Sequence, residues 1–318
     1  MSHSPAPEIL PWNPLSSYLR NRFGGRVSRI PVDAGFTCPN RDGTLGTGGC
    51  TFCGEEGARA AFVNLGLPVK EQIAAGIRRA NVRYGAEKYL VYFQAYSNTY
   101  GTAEQLRELY DTALSFNGVV GIMAGTRPDC LPGSVLNVIG EYARKTWFTV
   151  ELGAQSMHDA ALARVNRGHS AADTTHAVQA LRASGADVLA HVILGLPGET
   201  GEMMLESVRV LDSLGIRAWK FHQLMVERGT AMEADLQNGT IAAIGLENYC
   251  DVLSEALALI SPDAVIHRLF GTSDPERLLA PLWTLDRNAS ENRLLKAMRA
   301  KNYIQGCLHP AGGHAPRN

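Results

Sequence analysis

Three cysteines lie close together in a glycine-rich stretch near the start of the chain. Cys38, Cys50 and Cys53 stand in the segment TCPNRDGTLGTGGCTFC, with eleven residues between the first two and two between the last two. Glycines in such a loop let the backbone turn tightly and bring its N–H groups near the sulfurs. The spacing predicts a metal site. It leaves open a structural zinc loop completed by a distant residue and an iron–sulfur cluster with one iron free for another ligand.

The remaining cysteines and histidines offer no fourth ligand nearby. Cys130, Cys250 and Cys307 are scattered, and the next histidine after the loop is His158. Six cysteines in 318 residues are too few for a disulfide scaffold. We therefore expect neither a disulfide framework nor a second iron–sulfur cluster.

Two other groups of residues could do chemistry, and both follow apolar runs. In YFQAYSNTY (92–100) the better candidates are Tyr96 and Asn98, because Tyr92 and Phe93 fit an ordinary buried strand. In GTRPDC (125–130) Arg127 and Asp129 could bind a carboxylate or each other. Cys130 is a candidate thiol acting on substrate, although a lone cysteine is more often an inert small hydrophobe.

The elements that must position these residues alternate along the chain. Between 27 and about 226, helix-period segments separate six apolar runs, which is typical of a parallel sheet covered by helices. The six units fall short of the eight in a closed barrel, so the pattern leaves an open doubly wound sheet or a partial barrel. In either fold ligands gather at the carboxyl ends of the strands. The runs are VSRIPVDA (27–34), KYLVYFQA (88–95), GVVGIMAG (118–125), WFTVELGA (147–154), DVLAHVILGL (187–196) and IRAWKFHQLMV (216–226).

Composition narrows the class of protein. Hydrophobic residues make up 45% and charged residues 19%, which excludes intrinsic disorder. The net charge of −1 gives no long-range attraction to nucleic acid or acidic membranes. An RNA partner would need a local patch, such as the basic runs at 20–29 and 293–301. No signal peptide or apolar run of about 18 residues is found, so a cytoplasmic protein with no membrane partner is expected.

The cysteine loop and the strand-end motifs together resemble the radical S-adenosylmethionine (radical SAM) superfamily. Within it the chain is most similar to the bacterial YhcC-like group, with relatives among Elp3-type proteins and oxygen-independent coproporphyrinogen oxidases. The resemblance runs from about residue 15 to 305 and implies that Cys38, Cys50 and Cys53 hold a [4Fe–4S] cluster. The fourth iron would take the amino and carboxylate groups of SAM. The first spacing is eleven residues rather than the commonest three, as in the YhcC-like group.

The resemblance also implies positions for SAM contacts. Residues of the loop 94–97 would face the amino group, and polar residues on and after the fourth strand would bind the ribose and the carboxylate. Arg167 could instead be a surface cation and His191 a satisfied core residue. The SAM contacts implied are Phe52, Gln94, Ala95, Ser97, Glu151, Gln155, Arg167, His191, Gly195 and Leu224.

Taken together, the residues and the resemblance predict an α/β protein, a partial (β/α)6 TIM-type barrel with a small C-terminal α+β extension. We expect an N-terminal segment at 1–26, the radical SAM core at 27–230 and the extension at 231–318. The predicted reaction is reductive cleavage of SAM to a 5'-deoxyadenosyl radical that abstracts hydrogen from a substrate. Its partners would be a reducing electron donor and a tRNA or small metabolite. The alternative is a non-catalytic metal-binding or RNA-binding module.

Overall fold

The computed structural model describes residues 10–54, 57 and 66–310. Seven parallel strands form the main sheet, and two short antiparallel strands form a second one. The strands are β1 (Val27–Val32), β2 (Lys88–Phe93), β3 (Val119–Thr126), β4 (Trp147–Gln155), β5 (Asp187–Leu194), β6 (Ala218–Gln223), β7 (Val226–Glu227), β8 (Val265–Arg268) and β9 (Leu278–Ala280). The order of the main sheet is β1-β2-β3-β4-β5-β6-β8, and β7 pairs with β9.

Helices follow most of the strands and cover the outer face of the main sheet. They are α1 (Leu15–Phe23), α2 (Val69–Tyr84), α3 (Ala103–Leu114), α4 (Gly133–Ala143), α5 (Asp159–Arg164), α6 (Ala171–Ser184), α7 (Gly201–Ser213), α8 (Met232–Gln237), α9 (Leu246–Leu259) and α10 (Arg287–Ala300), with a 3-10 helix at Leu282–Leu285. None of the helices in the described residues is long and apolar enough to cross a membrane.

The helix ends follow their local sequence. Thr102 forms the capping box with Gln105 that the sequence predicts at the start of α3. Ser170 and Asp173 form a second one at the start of α6. Gly185 ends α6 at φ +86°, a conformation that glycine adopts without the penalty of a Cβ atom.

Alternate residues of each strand face opposite sides of the sheet. On β2, Val91 and Phe93 pack in the large core beneath the covering helices. Leu90 and Tyr92 face the inner side, in a smaller cluster that includes Leu19 of α1. Helix α1 thus fills one end of the inner face with apolar side chains.

The sheet is curled, and the segment before α1 is hydrogen-bonded to β8, one of its edge strands. Ile266 of β8 donates its N–H to the carbonyl of Asn13 at 2.8 Å and forms a parallel bridge with Pro14. Helix α1 also packs against β1, the opposite edge. The predicted partial barrel is confirmed.

The sheet has one strand more than the six units that the sequence predicts. The additional strand is β8, which lies within the range predicted for the C-terminal extension and pairs with β6 in parallel register. Strand β8 has only four residues, and the helix before it, α9, follows another helix instead of a strand. The alternation of strands and helices along the chain therefore does not assign β8 to the main sheet.

Candidate functional site

The cysteine loop lies at the carboxyl ends of the strands, as expected for a parallel sheet. It follows β1 and is anchored to the turn that ends α5. Thr51 donates its N–H to the carbonyl of Val165 at 3.1 Å, and Met232 donates to the carbonyl of Thr51 at 3.1 Å. The loop is therefore attached to two separate parts of the chain.

Two asparagines tie the loop together. Asn166 donates from Nδ2 to the carbonyl of Gly49 at 2.8 Å, and Asn40 donates from Nδ2 to the carbonyl of Asn166 at 2.5 Å. Gly49 in turn donates its N–H to the carbonyl of Asn40 at 2.8 Å. Asn166 has a φ of +50°, in the left-handed region that asparagine tolerates better than most residues. The turn after α5 thereby sets the path of the chain just before Cys50.

Arg167 links Cys50 to the sheet. Its Nη1 donates to the sulfur of Cys50 at 3.4 Å and its Nη2 to the carbonyl of Gly153 at 2.8 Å, while its Nε donates to Nε2 of His169 at 3.0 Å. Arg167 is buried with Cys50. A guanidinium held this way cannot turn away to solvent, so the interpretation of Arg167 as a surface cation is wrong.

The surroundings of Cys50 favour its thiolate. Burial raises the pKa of the thiol, but the charges of Arg167 and Arg127 and hydrogen bonds from Arg167 and Asn40 outweigh burial and lower the pKa below its usual value. Thiolates are the form that binds metal. Charge and hydrogen bonding therefore prepare Cys50 for a metal.

Cys53 and Cys38 lie near further guanidinium groups. Burial raises the pKa of Cys53, although the nearby charge of Arg41 opposes that shift. Arg41 donates from Nη2 to the carbonyls of Cys53 at 2.9 Å and Gly54 at 2.7 Å. Against the effect of burial, the pKa of Arg41 is raised chiefly by Cys53 and that of Arg127 chiefly by Asp129, and Cys38 lies near both guanidinium groups. The loop thus places all three sulfurs among three guanidinium groups, at Arg41, Arg127 and Arg167.

Gly153 lets two predicted SAM contacts meet. A Cβ at Gly153 would lie 2.6 Å from Nη2 of Arg167 and 2.8 Å from Nε2 of Gln155. Gln155 has a φ of +64°, and its Oε1 is buried without a hydrogen-bond partner among the described residues. The structure therefore brings Gln155 and Arg167 together beside Cys50. At this point Gln155 has a strained backbone and a side-chain oxygen that is free to accept a hydrogen bond.

Arg127 is held by its neighbour. Its Nε and Nη2 donate to the two oxygens of Asp129 at 2.8 and 2.7 Å. Nη1 is buried and has no partner within 10–54, 57 and 66–310. The sequence predicts that Arg127 and Asp129 bind either a carboxylate or each other, and in the structure they bind each other. The Nη1 group of Arg127 remains available to a further acceptor.

The loop after β2 presents backbone and small polar groups. Gln94 and Ser97 donate their N–H groups to the carbonyls of Val32 at 3.2 Å and Thr37 at 3.3 Å. The carbonyl of Ala95 accepts from Nδ2 of Asn98 at 2.9 Å. Tyr96 has a φ of +58°. These residues lie beside the cysteine loop, and their roles toward SAM stay predictions.

Cys130 is close to the site but poorly suited to act as a nucleophile. Burial, together with the charge of Asp129, raises the pKa of its thiol to about 12. The Cys130 carbonyl accepts from the hydroxyl of Thr99 at 2.5 Å, which holds its backbone. At neutral pH the side chain is a buried thiol, and its predicted catalytic role remains untested.

An apolar wall borders the cysteine loop on another side. Phe52 packs against a cluster that includes Ile193, Leu196 and Leu224. Leu224 donates its N–H to the carbonyl of Leu194 at 2.9 Å. Gly195 has a φ of +89° and donates its N–H to the sulfur of Met204 at 3.0 Å. Phe52 and Leu224, both predicted SAM contacts, thus belong to one apolar surface.

Glu151 and His191 lie on the inner face of the barrel in a buried polar network. Glu151 accepts hydrogen bonds from Lys220 at 2.5 Å and from the hydroxyl of Tyr92 at 2.7 Å. Nδ1 of His191 is 3.3 Å from the same carboxylate. The charge of Lys220 and these hydrogen bonds outweigh burial and hold the pKa of Glu151 well below its usual value. The predicted ribose contacts are therefore engaged with protein partners.

The residues present fit an iron–sulfur cluster and SAM. The cysteine loop supplies three buried or half-buried thiols, guanidinium groups that favour thiolate, and unpartnered polar atoms at Gln155 and Arg127. The described residues contain no group of three His, Cys, Asp or Glu side chains placed around a single ion. Cysteines of a cluster bind separate irons and need no such common point.

Sequence reasoning missed four residues that build the site. They are Asn40, Arg41, Asn166 and Lys220. Arg41 and Asn40 stand within the cysteine loop, so a search for cations and amides near the sulfurs could have found them. Asn166 precedes Arg167, and its left-handed backbone gives no signal in a single sequence. Lys220 is a lone cation in an apolar strand, which is an available signal for a buried ion pair.

Comparisons with known proteins agree with the geometry. The family model described as the Radical SAM superfamily matches residues 40–211, and the one for the Radical_SAM C-terminal domain matches 216–300. The chain is 33% identical over 295 residues to uncharacterized protein YtqA of Bacillus subtilis, covering 93% of this chain and 92% of that protein. It is 37% identical over 278 residues to protein YhcC of Escherichia coli, covering 86% of this chain and 88% of that protein.

A solved structure shares the fold. The archaeal Elp3 of Methanocaldococcus infernus, with an N-terminal deletion, superposes with a TM-score of 0.65 at 20% sequence identity. The match covers 88% of this chain and 64% of that chain. At this identity the likeness concerns the fold alone.

Replacing Asn166 tests how the turn after α5 holds the cysteine loop. Asn166→Ala loses the hydrogen bond to Gly49 and adds strain at positive φ, so we expect the free energy of unfolding to fall by about 2 kcal/mol. Asn166→Gly relieves the strain but not the lost bond, and should cost less. Urea unfolding of both variants checks the order. Equal stability of the two variants would show that the left-handed backbone does not matter.

His267 tests the burial of the inner polar network. Burial, with the charge of Arg29, lowers the pKa of His267 to about 3. The unfolded chain binds this proton near pH 6.5, so stability falls as the pH drops from 6.5 toward 3. His267→Asn should make the fall shallower by up to about 1.4 kcal/mol per pH unit.

Urea unfolding between pH 4 and 7 measures this slope. His176→Asn, at an exposed position of α6, is the matched control and should unfold like the wild type. An unchanged slope in His267→Asn would contradict the buried neutral imidazole.

Proposed function

Because the chain belongs to the radical SAM superfamily, we propose that it is an enzyme that binds a [4Fe–4S] cluster through Cys38, Cys50 and Cys53. SAM would bind at the iron that the three cysteines leave open. When bound, the reduced cluster supplies the electron that cleaves SAM to methionine and a 5'-deoxyadenosyl radical, which abstracts hydrogen from the substrate. The protein's own part is to hold the ligands, orient SAM and exclude water.

One observation carries the proposal: the guanidinium of Arg167 donates to the sulfur of Cys50 at 3.4 Å. If the residue beside Cys50 only had to fill space, an uncharged side chain would serve as well as Arg167. A buried arginine aimed at a cysteine sulfur is costly unless the sulfur carries negative charge. The lowered pKa of Cys50 has the same cause.

SAM would find polar and apolar partners on different sides of the cysteine loop. The free Oε1 of Gln155 can accept from the amino group or a ribose hydroxyl, and the free Nη1 of Arg127 can donate to the carboxylate. Phe52 and Leu224 offer the adenine ring an apolar surface. Backbone atoms of Gln94, Ala95 and Ser97, and of Gly195, complete the proposed pocket.

The remaining predicted residues receive narrower roles. Glu151 would act on SAM by exchanging one of its present partners for a ribose hydroxyl. Nε2 of His191 is buried without a partner among the described residues and would bind a hydroxyl directly. Tyr96 lies with its ring centroid 5.7 Å from the guanidinium of Arg41, so its first role is to shield the loop. The high pKa of Cys130 suits a hydrogen-atom donor better than a nucleophile.

The finer assignments follow from the same proposal. Residues 27–230 would form the catalytic core, with 1–26 and 231–318 packed on it. Reduced cysteines and a reducing electron donor suit a cytoplasmic protein. The substrate is a small metabolite or a tRNA, and the tRNA option draws on relatives named tRNA uridine(34) acetyltransferase, such as one at 28% identity over 160 residues.

The second candidate is a metal-binding or RNA-binding module with a structural cysteine loop. The zinc form of this candidate predicts a colourless protein with one metal ion and no affinity for SAM. A module without SAM has no physical need for the free buried acceptor at Gln155 or for the strained φ at that residue. These features favour the enzyme.

The ligand assignment is tested by removing one cysteine. Anaerobically reconstituted wild type should hold about four irons per chain and, with dithionite, convert SAM to methionine and 5'-deoxyadenosine. Cys53→Ala should lose the iron and lower the rate of SAM cleavage by about 100-fold or more, because the ligand itself is gone. Iron analysis and chromatography of the products measure both.

Cys307→Ala is the matched control, since Cys307 is an exposed thiol far along the chain. It should keep the iron and the cleavage rate of the wild type. Cleavage by Cys53→Ala at the wild-type rate would overturn the ligand assignment. A wild type that binds zinc and no SAM would overturn the proposed function.

A further inference from the structure

The inner face of the barrel carries more positive than negative charge. Burial lowers the pKa values of Arg29 on β1 and Lys220 on β6, and the nearby charge of Arg268 on β8 lowers both further. Glu151 is the one carboxylate that the described residues bring into direct contact with any of the three. Three cations therefore share one anion.

The carboxylate of Glu151 already has protein partners. Lys220 and Glu151 form an ion pair at 2.5 Å, and their side chains are 5% and 7% exposed. Tyr92 donates to the second carboxylate oxygen at 2.7 Å, and His191 lies at 3.3 Å from the first. Glu151 contacts neither arginine directly in the described residues, and its charge only partly offsets the effects of burial and of Arg268 on Arg29.

The two arginines lack anionic partners. Arg268 has its Nη1 at 3.2 Å from Nε2 of His222, whose pKa is held well below its usual value by burial and by the charges around it. The guanidinium of Arg29 makes no hydrogen bond or ion pair with the part of the chain that the structure describes, while its backbone belongs to the ladder between β1 and β2. Burial and the charge of Arg268 lower the pKa of Arg29. Both side chains remain partly exposed, so a ligand can reach them.

The place of the two arginines in the fold is unusual. They belong to β1 and β8, the two edge strands of the sheet, and α1 packs against both strands. The charge of Arg268 acts on Arg29, and two like charges this near repel each other unless an anion binds beside them. The geometry suits a ligand that joins the two edges.

The cysteine site uses other charges. Burial aside, the guanidinium groups that act on the pKa values of Cys50 and Cys53 are Arg41, Arg127 and Arg167. Neither Arg29 nor Arg268 is among them. An anion bound between Arg29 and Arg268 is therefore distinct from SAM, whose carboxylate has Arg127 and Arg167 beside the cysteines.

We propose that the substrate carries an oxyanion, a phosphate or a carboxylate, that binds between the guanidinium groups of Arg29 and Arg268 on the inner face of the barrel. This inference rests on the proposed function, which makes the protein an enzyme with a substrate to hold. Guanidinium groups pair with such anions through two parallel hydrogen bonds. Lys220, kept in place by Glu151, adds a third positive charge.

The experiment measures anion binding directly, without SAM or reductant. Inorganic phosphate and, in a separate arm, acetate are titrated into the reconstituted protein at constant ionic strength. Calorimetry gives the dissociation constant and a melting curve gives the shift in Tm. The wild type should bind at least one of the two, and the arm that binds tighter tells a phosphate from a carboxylate.

The variants locate the binding. Arg29→Gln and Arg268→Gln should each weaken binding by about tenfold or more, as expected when a charge-assisted hydrogen bond is lost. Arg29→Lys keeps the charge and should fall between Arg29→Gln and the wild type. Without phosphate, Arg29→Gln should melt no lower than the wild type, because it removes repulsion from Arg268. Arg20→Gln, the same change on the exposed side of α1, should bind like the wild type.

Three outcomes would overturn the proposal. They are a wild type that binds neither anion, Arg29 and Arg268 variants that bind as tightly as Arg20→Gln, and displacement of the bound anion by SAM. A different result would overturn the proposed function alone: a protein that binds phosphate at these arginines but neither holds iron nor cleaves SAM.

Discussion

The contact between the guanidinium of Arg167 and the sulfur of Cys50 is the interaction on which the candidate site depends. It requires the carbonyl of Gly153 as a second anchor and leaves no room for a side chain at that glycine. It also requires the loop to be pinned against the end of α5, which Asn40 and Asn166 do. Burying a guanidinium beside a thiol is costly unless the thiol is ionised, so this contact favours the thiolate of Cys50.

The barrel separates two sets of charges. At the carboxyl ends of the strands, Arg41, Arg127 and Arg167 surround the cysteines. Deeper on the inner face, Lys220 pairs with Glu151, and Arg29 and Arg268 lie near Lys220. Apolar side chains of α1 close the other end of the barrel. A parallel sheet produces this arrangement because every strand presents its alternate residues to the same interior.

Much of the fold could be predicted from the sequence. The six apolar runs correspond to β1 to β6 within a few residues, because strands buried on both faces are continuously apolar. Strand β8 was harder to place, since four residues in an irregular region carry no alternating rhythm. That it pairs with β6 depends on tertiary packing beside α1, which one sequence does not reveal.

Part of the candidate site, too, could be predicted from the sequence and part could not. Cys38, Cys50 and Cys53 could be found because ligand spacing is local, and Arg167 because the resemblance to the radical SAM superfamily implies it. Glu151 and His191 are where the sequence puts them along β4 and β5, yet their partners Tyr92 and Lys220 come from strands far away in the chain. Charge balance across a barrel is set by such pairings, so neither the ion pair nor the unpartnered state of Arg29 could be read from spacing.

The central claim is that the three cysteines hold a cluster whose remaining iron binds SAM. Electron paramagnetic resonance of the reduced, reconstituted protein, recorded with and without SAM, tests it most directly. The account predicts the signal of a reduced [4Fe–4S] cluster, changed in shape when SAM is added, because a new ligand then binds one iron. A protein with no iron signal, or with a signal that SAM leaves unchanged, would contradict it.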